Sequence, residues 1–158
     1  MTRDVSQLAS VHATPGLAAY MAEVEAGLAR AVAARPGLAQ EVAGEALSAG
    51  GKRLRPLLCF LTARGAPSVA AGVSVEMVHM ATLVHDDLVD GARLRRGLPA
   101  AWSVYGAHAA KAAGDYLFAC AFSVLAEDFI DQARWKELGQ LVEAHRRRQP
   151  DDIRALFD

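Results

Sequence analysis

The sequence predicts an all-α protein, and two observations support this fold class. Hydrophobic residues make up 53% of the 158 residues, and Ala, Leu and Val dominate over the aromatic residues, which make up only 6%. Apolar residues recur at three- and four-residue steps, and no segment shows the two-residue alternation of a half-buried strand. We therefore expect one domain, or part of one, built as a bundle of helices and long enough to bury a substantial core.

The first two predicted helices precede a glycine pair. Residues 1–14 are polar, and we expect them to be flexible. An amphipathic helix is predicted over residues 17–34, because its apolar residues share one face and Arg-Pro-Gly follows it. A second helix is predicted over residues 38–50, where Gly50-Gly51 ends it.

The remaining predicted elements are also helices. Pro56 suits the first turn of the third helix, where its missing N–H costs nothing. Residues 68–89 form the longest periodic segment and are apolar nearly all round, which predicts a central buried helix. Residues 91–97 are expected to form a loop. A short helix, a long helix, a further helix over 132–148 and a short last turn complete the prediction.

Charge and cysteine usage exclude several classes of protein. The net charge is −1, and the run Arg146–Arg148 is followed by two aspartates, which favours a solvated helix end over a nucleic-acid patch. Cys59 and Cys120 lie among apolar residues without metal-ligand spacing, so we expect buried free thiols in a reducing compartment. The first residues lack an apolar signal core, and the apolar runs look too short for a membrane span. We expect a cytoplasmic protein that neither spans a membrane nor binds nucleic acid.

Carboxylates cluster at the end of the predicted central helix. Asp86 and Asp90 are four residues apart and share a helix face, with Cβ atoms about 6 Å apart, and Asp87 lies one step round. Such a pair repels unless a cation lies between, and Mg²⁺ suits two carboxylates plus substrate phosphates. The alternative is a solvated acidic helix end, although acids there oppose the helix dipole. His79, two turns earlier on that face, is either a hydrogen-bonded core residue or a donor to a bound anion.

Two basic pairs accompany these carboxylates. Lys52 and Arg55 follow the Gly50-Gly51 break at a predicted helix N-terminus, a place where phosphate binds well, although Gly-Gly-Lys also occurs in ordinary loops. Arg95 and Arg96 lie in the expected loop, and arginine is suited to bidentate phosphate recognition. Together the two basic pairs and the carboxylates predict a site for two diphosphates, one bridged by metal, at the rim of an apolar bundle.

Three ordered motifs resemble those of the trans-isoprenyl diphosphate synthases, the polyprenyl synthetase family. They are GGKRLRP (50–56), EMVHMATLVHDDLVDGARLRRGLP (76–99) and AAGDYLF (112–118). The middle block contains Asp-Asp-x-x-Asp, followed after four residues by Arg-Arg-Gly-x-Pro, which resembles the family's first aspartate-rich motif. The resemblance implies an isoprenoid synthase fold with its active site in a central cavity, and residues 15–158 would be the N-terminal portion of that domain.

The resemblance also implies a role for each motif residue. The residues implied to bind isopentenyl diphosphate are Lys52, Arg55, His79 and Arg96. Those implied to act on an allylic diphosphate are the catalytic Asp86, Asp87 and Asp90, of which Asp86 and Asp90 would hold Mg²⁺, together with Arg95. The implied reaction is head-to-tail condensation, in which the allylic C–O bond ionises, the isopentenyl double bond attacks and a proton is lost.

Product length is implied by the residues one turn before Asp86. Ala81 and Thr82 are small, so by analogy with the family they would form a chain-length pocket that admits a product of geranylgeranyl length or longer.

The resemblance covers about residues 15–125. A second aspartate-rich motif is absent from the sequence, because Asp151-Asp152 is followed by Ala155 where a third aspartate would stand. We therefore expect a chain truncated before that motif. The alternatives are a catalytically incomplete diphosphate-binding or regulatory subunit that needs a partner, and a helical scaffold whose acidic cluster is incidental. The family implies a prenyltransferase that works as a homo-oligomer, usually a dimer, or as a heteromer.

Overall fold

The computed structural model describes residues 14–129 together with residues 140, 143 and 144. Within these residues the chain forms six helices and one short hairpin. In chain order the elements are α1 (Leu17–Ala33), α2 (Leu38–Ser48), α3 (Leu54–Thr62), α4 (Val69–Val89), β1 (Leu94–Arg95), β2 (Leu98–Pro99), α5 (Ala101–Tyr105) and α6 (Ala107–Phe129). The predicted all-α class is confirmed.

The chain divides into two compact units, Met1–Leu125 and Ala126–Asp158. The first unit contains every described element up to residue 125 of α6. In the second unit, the described residues 126–129, 140, 143 and 144 are all helical. The predicted helix over 132–148 and the last turn lie mostly or wholly outside the described residues, as do residues 1–13.

The core of the first unit forms where α1, α4 and α6 meet. Ser74 Oγ of α4 donates to the Ala121 carbonyl of α6 at 2.9 Å, and Tyr116 of α6 donates to the Val32 carbonyl of α1 at 2.7 Å. The buried apolar residues that form this core are Leu17, Tyr20, Val24, Leu28, Val32, Val42, Ala43, Leu47, Val73, Met77, Met80, Ala81, Val84, Ala110, Ala113, Leu117, Cys120 and Ala121.

The central helix α4 begins at a side-chain cap and is not buried all round. The Ser68 hydroxyl accepts a hydrogen bond from the Ala71 N–H at 3.0 Å, which satisfies one free N–H of the first turn. One stripe of α4 is exposed and includes Thr82, Asp86 and Val89. The predicted central buried helix is therefore found with one exposed stripe, along which polar residues interrupt the apolar ones.

The segment expected to be a loop contains a two-stranded antiparallel hairpin. Leu94 lies opposite Pro99, and the turn between the strands places Arg96 and Gly97 at φ values of 54° and 83°. Positive φ at both central residues is the turn geometry that two-residue hairpins favour. The alternation pattern did not predict this hairpin, because strands of two residues are too short to show alternation.

The length and apolar composition of α6 test the expectation that the apolar runs are too short to span a membrane. Residues Ala107–Asp128 are long and apolar enough to cross a bilayer by length and composition, so the expectation that every apolar run is too short is wrong for this helix. One such helix is weak evidence, because a core helix of a soluble protein passes the same test. Its buried residues, including Leu117 and Cys120, belong to the core.

The two cysteines are both free thiols. Cys120 is buried, as expected, and burial raises the pKa of its thiol. Cys59 is only partly buried, because it lies on the side of α3 that the core covers incompletely.

Candidate active site

The carboxylates of α4 lie on two different faces of the helix. Glu76 and Asp87 are buried, with 3% and 4% of their surface exposed, while Asp86 and Asp90 are exposed. Glu76 and Asp87 are eleven residues apart, which is close to three helical turns, so they share a face. Each of these two buried carboxylates pairs with an arginine, whereas the exposed pair does not.

Asp86 and Asp90 form the exposed carboxylate pair predicted from their spacing. Within the described part of the chain, neither side chain takes part in a hydrogen bond or an ion pair. No group of three metal-ligating side chains is found among the described residues. Two free carboxylates nevertheless fit Mg²⁺, which keeps several waters and completes its octahedron with substrate phosphates. The donor set therefore fits the implied ion in the presence of a diphosphate.

Asp87 faces the hairpin instead of joining this pair. Both of its oxygens accept hydrogen bonds from Arg95, from Nε at 2.6 Å and from Nη2 at 2.6 Å. The bond to Asp87 raises the pKa of the Arg95 guanidinium. A step of one residue turns a helical side chain by about 100°, which carries Asp87 away from Asp86, although it stays within three residues of Asp90. The structure thus pairs Asp87 with Arg95, while Asp86 and Asp90 form no ion pair among the described residues.

The four residues implied to bind isopentenyl diphosphate line a single cavity of about 460 Å³, which we call the cationic cavity. Lys52 and Arg55 reach it from the start of α3, His79 from α4 and Arg96 from the hairpin. Lys52 and Arg55 form no ion pair with another described residue, and Arg96 donates to the Gly50 carbonyl. Burial, and then the nearby Arg55, lower the pKa of His79.

The loop before α3 is held by Arg53, a residue for which the sequence analysis predicted no role. Arg53 caps α3 with φ 45°, a left-handed conformation that is uncommon for a non-glycine residue. Its Nε lies 2.6 Å from Glu25 Oε1, and its Nη1 lies 3.2 Å from Glu76 Oε1. This ion triad fixes the loop that presents Lys52. No local pattern signals it, because its two carboxylates come from distant helices.

The third motif, residues 112–118, supports His85, the residue next to Asp86. His85 Nε2 lies 3.4 Å from Asp115 Oδ1 and 3.3 Å from the Lys111 carbonyl oxygen. A hydrogen bond from Lys111 lowers the pKa of Asp115. A Cβ at Gly114 would overlap the His85 ring, so only glycine allows this close approach of α6 to α4.

The structure separates the two residues of the predicted chain-length pocket. Thr82 is exposed one turn before Asp86, and its hydroxyl donates to the His79 carbonyl at 2.7 Å. Ala81 is completely buried in the core, because it lies roughly 140° away from Asp86 around the helix. Ala81 therefore does not line the exposed face on which Asp86 lies.

Comparisons with known proteins agree with these features. The polyprenyl synthetase family pattern matches residues 36–148. The chain is 41% identical over 124 residues to the nonaprenyl diphosphate synthase of Mycobacterium tuberculosis, covering 70% of this chain and 37% of that protein. It is 43% identical over 112 residues to heptaprenyl diphosphate synthase component 2 of Geobacillus stearothermophilus, covering 68% of this chain and 35% of that protein.

The fold is also similar to that of solved structures. The polyprenyl synthase of Caulobacter crescentus, solved with calcium and isoprenyl diphosphate, is similar with a TM-score of 0.65 and 38% identity. That match covers 81% of this chain and 39% of the Caulobacter chain. The chain therefore spans 35–39% of the length of these three relatives. Its motifs, its fold and the match over residues 36–148 show that it belongs to the polyprenyl synthetase family.

Proposed function

We propose that this protein is a polyprenyl diphosphate synthase that condenses isopentenyl diphosphate head to tail with an allylic diphosphate. One observation carries the proposal: the cationic cavity and the unpaired carboxylate pair lie along one helix. His79 and Asp86 are seven residues apart on α4, a rise of roughly 10 Å. That separation suits two diphosphates held side by side, one by cations and one through metal.

Isopentenyl diphosphate is assigned to the cationic cavity. Four cationic side chains and one carboxylate line it, so its electrostatic potential favours an anion of high charge. The arginine side chains offer forked donors for phosphate oxygens, and Lys52 offers a compact point charge. Because Lys52 and Arg55 have no ion-pair partner among the described residues, binding a diphosphate breaks no existing ion pair at either residue.

The allylic diphosphate is assigned to Asp86 and Asp90 through Mg²⁺. When bound there, the ion withdraws electron density from the leaving diphosphate. Asp87 keeps Arg95 beside the carboxylate pair, where its Nη1 remains available for a phosphate oxygen. The Caulobacter relative was solved with calcium and isoprenyl diphosphate, which supports a divalent cation and a prenyl diphosphate as ligands.

A product of geranylgeranyl length or longer is part of the proposal. Thr82 lies on the exposed face one turn before Asp86 and is small enough to let a growing chain pass. Relatives of this chain include nonaprenyl and geranylgeranyl diphosphate synthases, which supports this range.

A condensation assay tests the proposal. The purified chain is incubated with radiolabelled isopentenyl diphosphate, farnesyl diphosphate and Mg²⁺, beside the Asp86→Ala and Lys52→Ala variants. We expect labelled prenyl product, and a loss of about a hundredfold or more in Asp86→Ala, since metal-supported charge stabilisation is worth several kcal/mol. Lys52→Ala is expected to raise the KM for isopentenyl diphosphate. Product at an undiminished rate in both variants would contradict the assignment.

The second candidate is a diphosphate-binding subunit that condenses only in a complex. Similarity to a relative described as component 2 of a heptaprenyl diphosphate synthase favours it. This candidate predicts no product from the chain alone but retained binding of isopentenyl diphosphate, lost in Lys52→Ala. Addition of the completing polypeptide would then restore product formation.

A further inference from the structure

The cationic cavity contains one buried carboxylate oxygen without a hydrogen-bond partner. Glu76 has 3% of its surface exposed and lines the cavity with Lys52, Arg55, His79 and Arg96. Its Oε1 accepts a hydrogen bond from Arg53 at 3.2 Å. Its Oε2 is buried and accepts none from any described residue. Buried acceptors are nearly always satisfied, so an unpartnered one beside a ligand cavity calls for an explanation.

His79 is a group on the same helix that can supply the missing donor. It lies three residues after Glu76, a spacing that brings two helical side chains together, and it lines the same cavity. The surroundings of His79 in the cavity are mostly cationic, which opposes a second proton on the ring. The charged side chains that line the cavity with it are Lys52, Arg53, Arg55 and Arg96, with Glu76 the one carboxylate among the described lining residues, and Arg95 adds further positive charge.

A bound diphosphate reverses this balance. Burial is the largest cause that lowers the pKa of His79, and the nearby arginines lower it further. The negative charge of the diphosphate offsets the arginines, while Glu76 continues to raise this pKa. A protonated imidazole then donates from one ring nitrogen to the ligand and from the other to Glu76 Oε2. We propose that Glu76 is a positioning residue of the diphosphate site, holding Arg53 through one oxygen and a protonated His79 through the other when a diphosphate is bound.

This inference rests on the proposed function of the cavity as a diphosphate site. It adds the uptake of a proton when the diphosphate binds. Binding of a diphosphate takes up a proton from solution onto His79, and the loss of Glu76 reduces that uptake. Simple charge repulsion predicts the reverse for affinity, because removing a carboxylate from an anion site strengthens anion binding. The two explanations therefore differ in sign.

Calorimetric titration of the chain with inorganic pyrophosphate, without divalent cations, tests the proposal. Titrations near neutral pH in buffers of different ionisation enthalpy give the protons taken up. Pyrophosphate contributes its own protonation equally to every protein, so the wild-type-minus-variant difference is the readout. We expect the wild type to take up more protons than Glu76→Gln and His79→Gln, by about one proton at most. Glu76→Gln should also bind on the order of tenfold more weakly.

Matched variants separate positioning from folding. Glu23→Gln removes an exposed carboxylate of α1 that lies outside both the ion triad and the residues lining the cavity, so it should keep the wild-type proton uptake. The amide of Glu76→Gln keeps the volume and an acceptor for Arg53, and circular dichroism checks its folding. If Glu76→Gln does not fold, His79→Gln alone tests the proposal. Proton uptake in His79→Gln equal to that of the wild type would then overturn the proposal.

Two further outcomes distinguish the failure of this inference from that of the function. If Lys52→Ala and Arg55→Ala bind pyrophosphate as the wild type does, the cavity is not the diphosphate site and both proposals fall. If those two variants lose binding while Glu76→Gln binds as tightly as the wild type, with unchanged proton uptake, only the role given to Glu76 is overturned.

Discussion

At the scale of single residues, adjacent aspartates of the DDxxD motif have different structural roles. Asp86 is exposed and unpaired among the described residues, whereas Asp87 accepts two hydrogen bonds from Arg95. In such a forked pair each oxygen of the Asp87 carboxylate already accepts one charge-assisted hydrogen bond. Asp87 therefore stabilises the hairpin and keeps Arg95 in position, and Asp86 is left for a ligand.

This difference between Asp86 and Asp87 predicts that two similar substitutions change the free energy of unfolding by different amounts. Asp87→Asn removes one acceptor from the buried pair with Arg95 and should lower the free energy of unfolding by about 1–3 kcal/mol. Asp86→Asn, the matched control, removes an exposed acid from the C-terminal turn of α4, where acids oppose the helix dipole. Its stability should change by no more than about 0.5 kcal/mol or rise slightly. Urea unfolding measures both, and equal losses would show that Asp87 is no more engaged than Asp86.

Sequence spacing predicted part of this site. The four-residue step between Asp86 and Asp90 is a property of any helix, so their shared face followed directly. The arginine partners of Asp87 and Glu76 did not follow from spacing. Arg95 reaches Asp87 from a hairpin, and Arg53 reaches Glu76 from a left-handed turn. Those backbone conformations depend on tertiary contacts that no local pattern contains.

At the scale of elements, α1 and α4 pack closely because glycines lie at their contact. A Cβ at Gly27 of α1 would lie 2.7 Å from Val73 Cγ2 of α4. A Cβ at Gly72 of α4 would overlap the hydroxyl of Tyr20 and lie 3.1 Å from Val24 Cγ2 of α1. Helical periodicity predicted both helices, but it assigns no role to a glycine on an apolar face, since only the neighbouring helix defines the space.

Two glycine substitutions test this packing. Alanine favours a helix over glycine by up to about 1 kcal/mol, so propensity alone predicts that both Gly72→Ala and Gly44→Ala stabilise the protein. In α2, a Cβ at Gly44 would meet Val32 Cγ1 at an ordinary 3.7 Å, and we expect stabilisation of about 0.5–1 kcal/mol. Gly72→Ala forces buried Tyr20 to move and should instead cost about 1–3 kcal/mol. Stabilisation by both substitutions, measured by thermal unfolding, would contradict this packing.

At the scale of the whole molecule, one scaffold presents both of the sites that we propose to hold a diphosphate. Helix α4 contributes His79 to the cationic cavity and Asp86 to the carboxylate pair, and the hairpin contributes Arg96 and Arg95 beside them. The ordered motifs were sufficient to predict the family and the fold class. They did not predict that Arg53 and Glu76 link the cavity to α1, because that link joins residues from three separate parts of the chain.

The central claim is that cations hold one diphosphate and that carboxylates hold another through Mg²⁺. Equilibrium binding tests it most directly, using isopentenyl diphosphate without metal and a non-ionisable allylic diphosphate analogue with Mg²⁺. We predict that Lys52→Ala and Arg55→Ala lose the metal-free binding, while Asp86→Ala and Asp90→Ala lose only the Mg²⁺-dependent binding. The account is contradicted if variants of both groups lose the same binding, or if the aspartate variants bind the analogue with Mg²⁺ as tightly as the wild type.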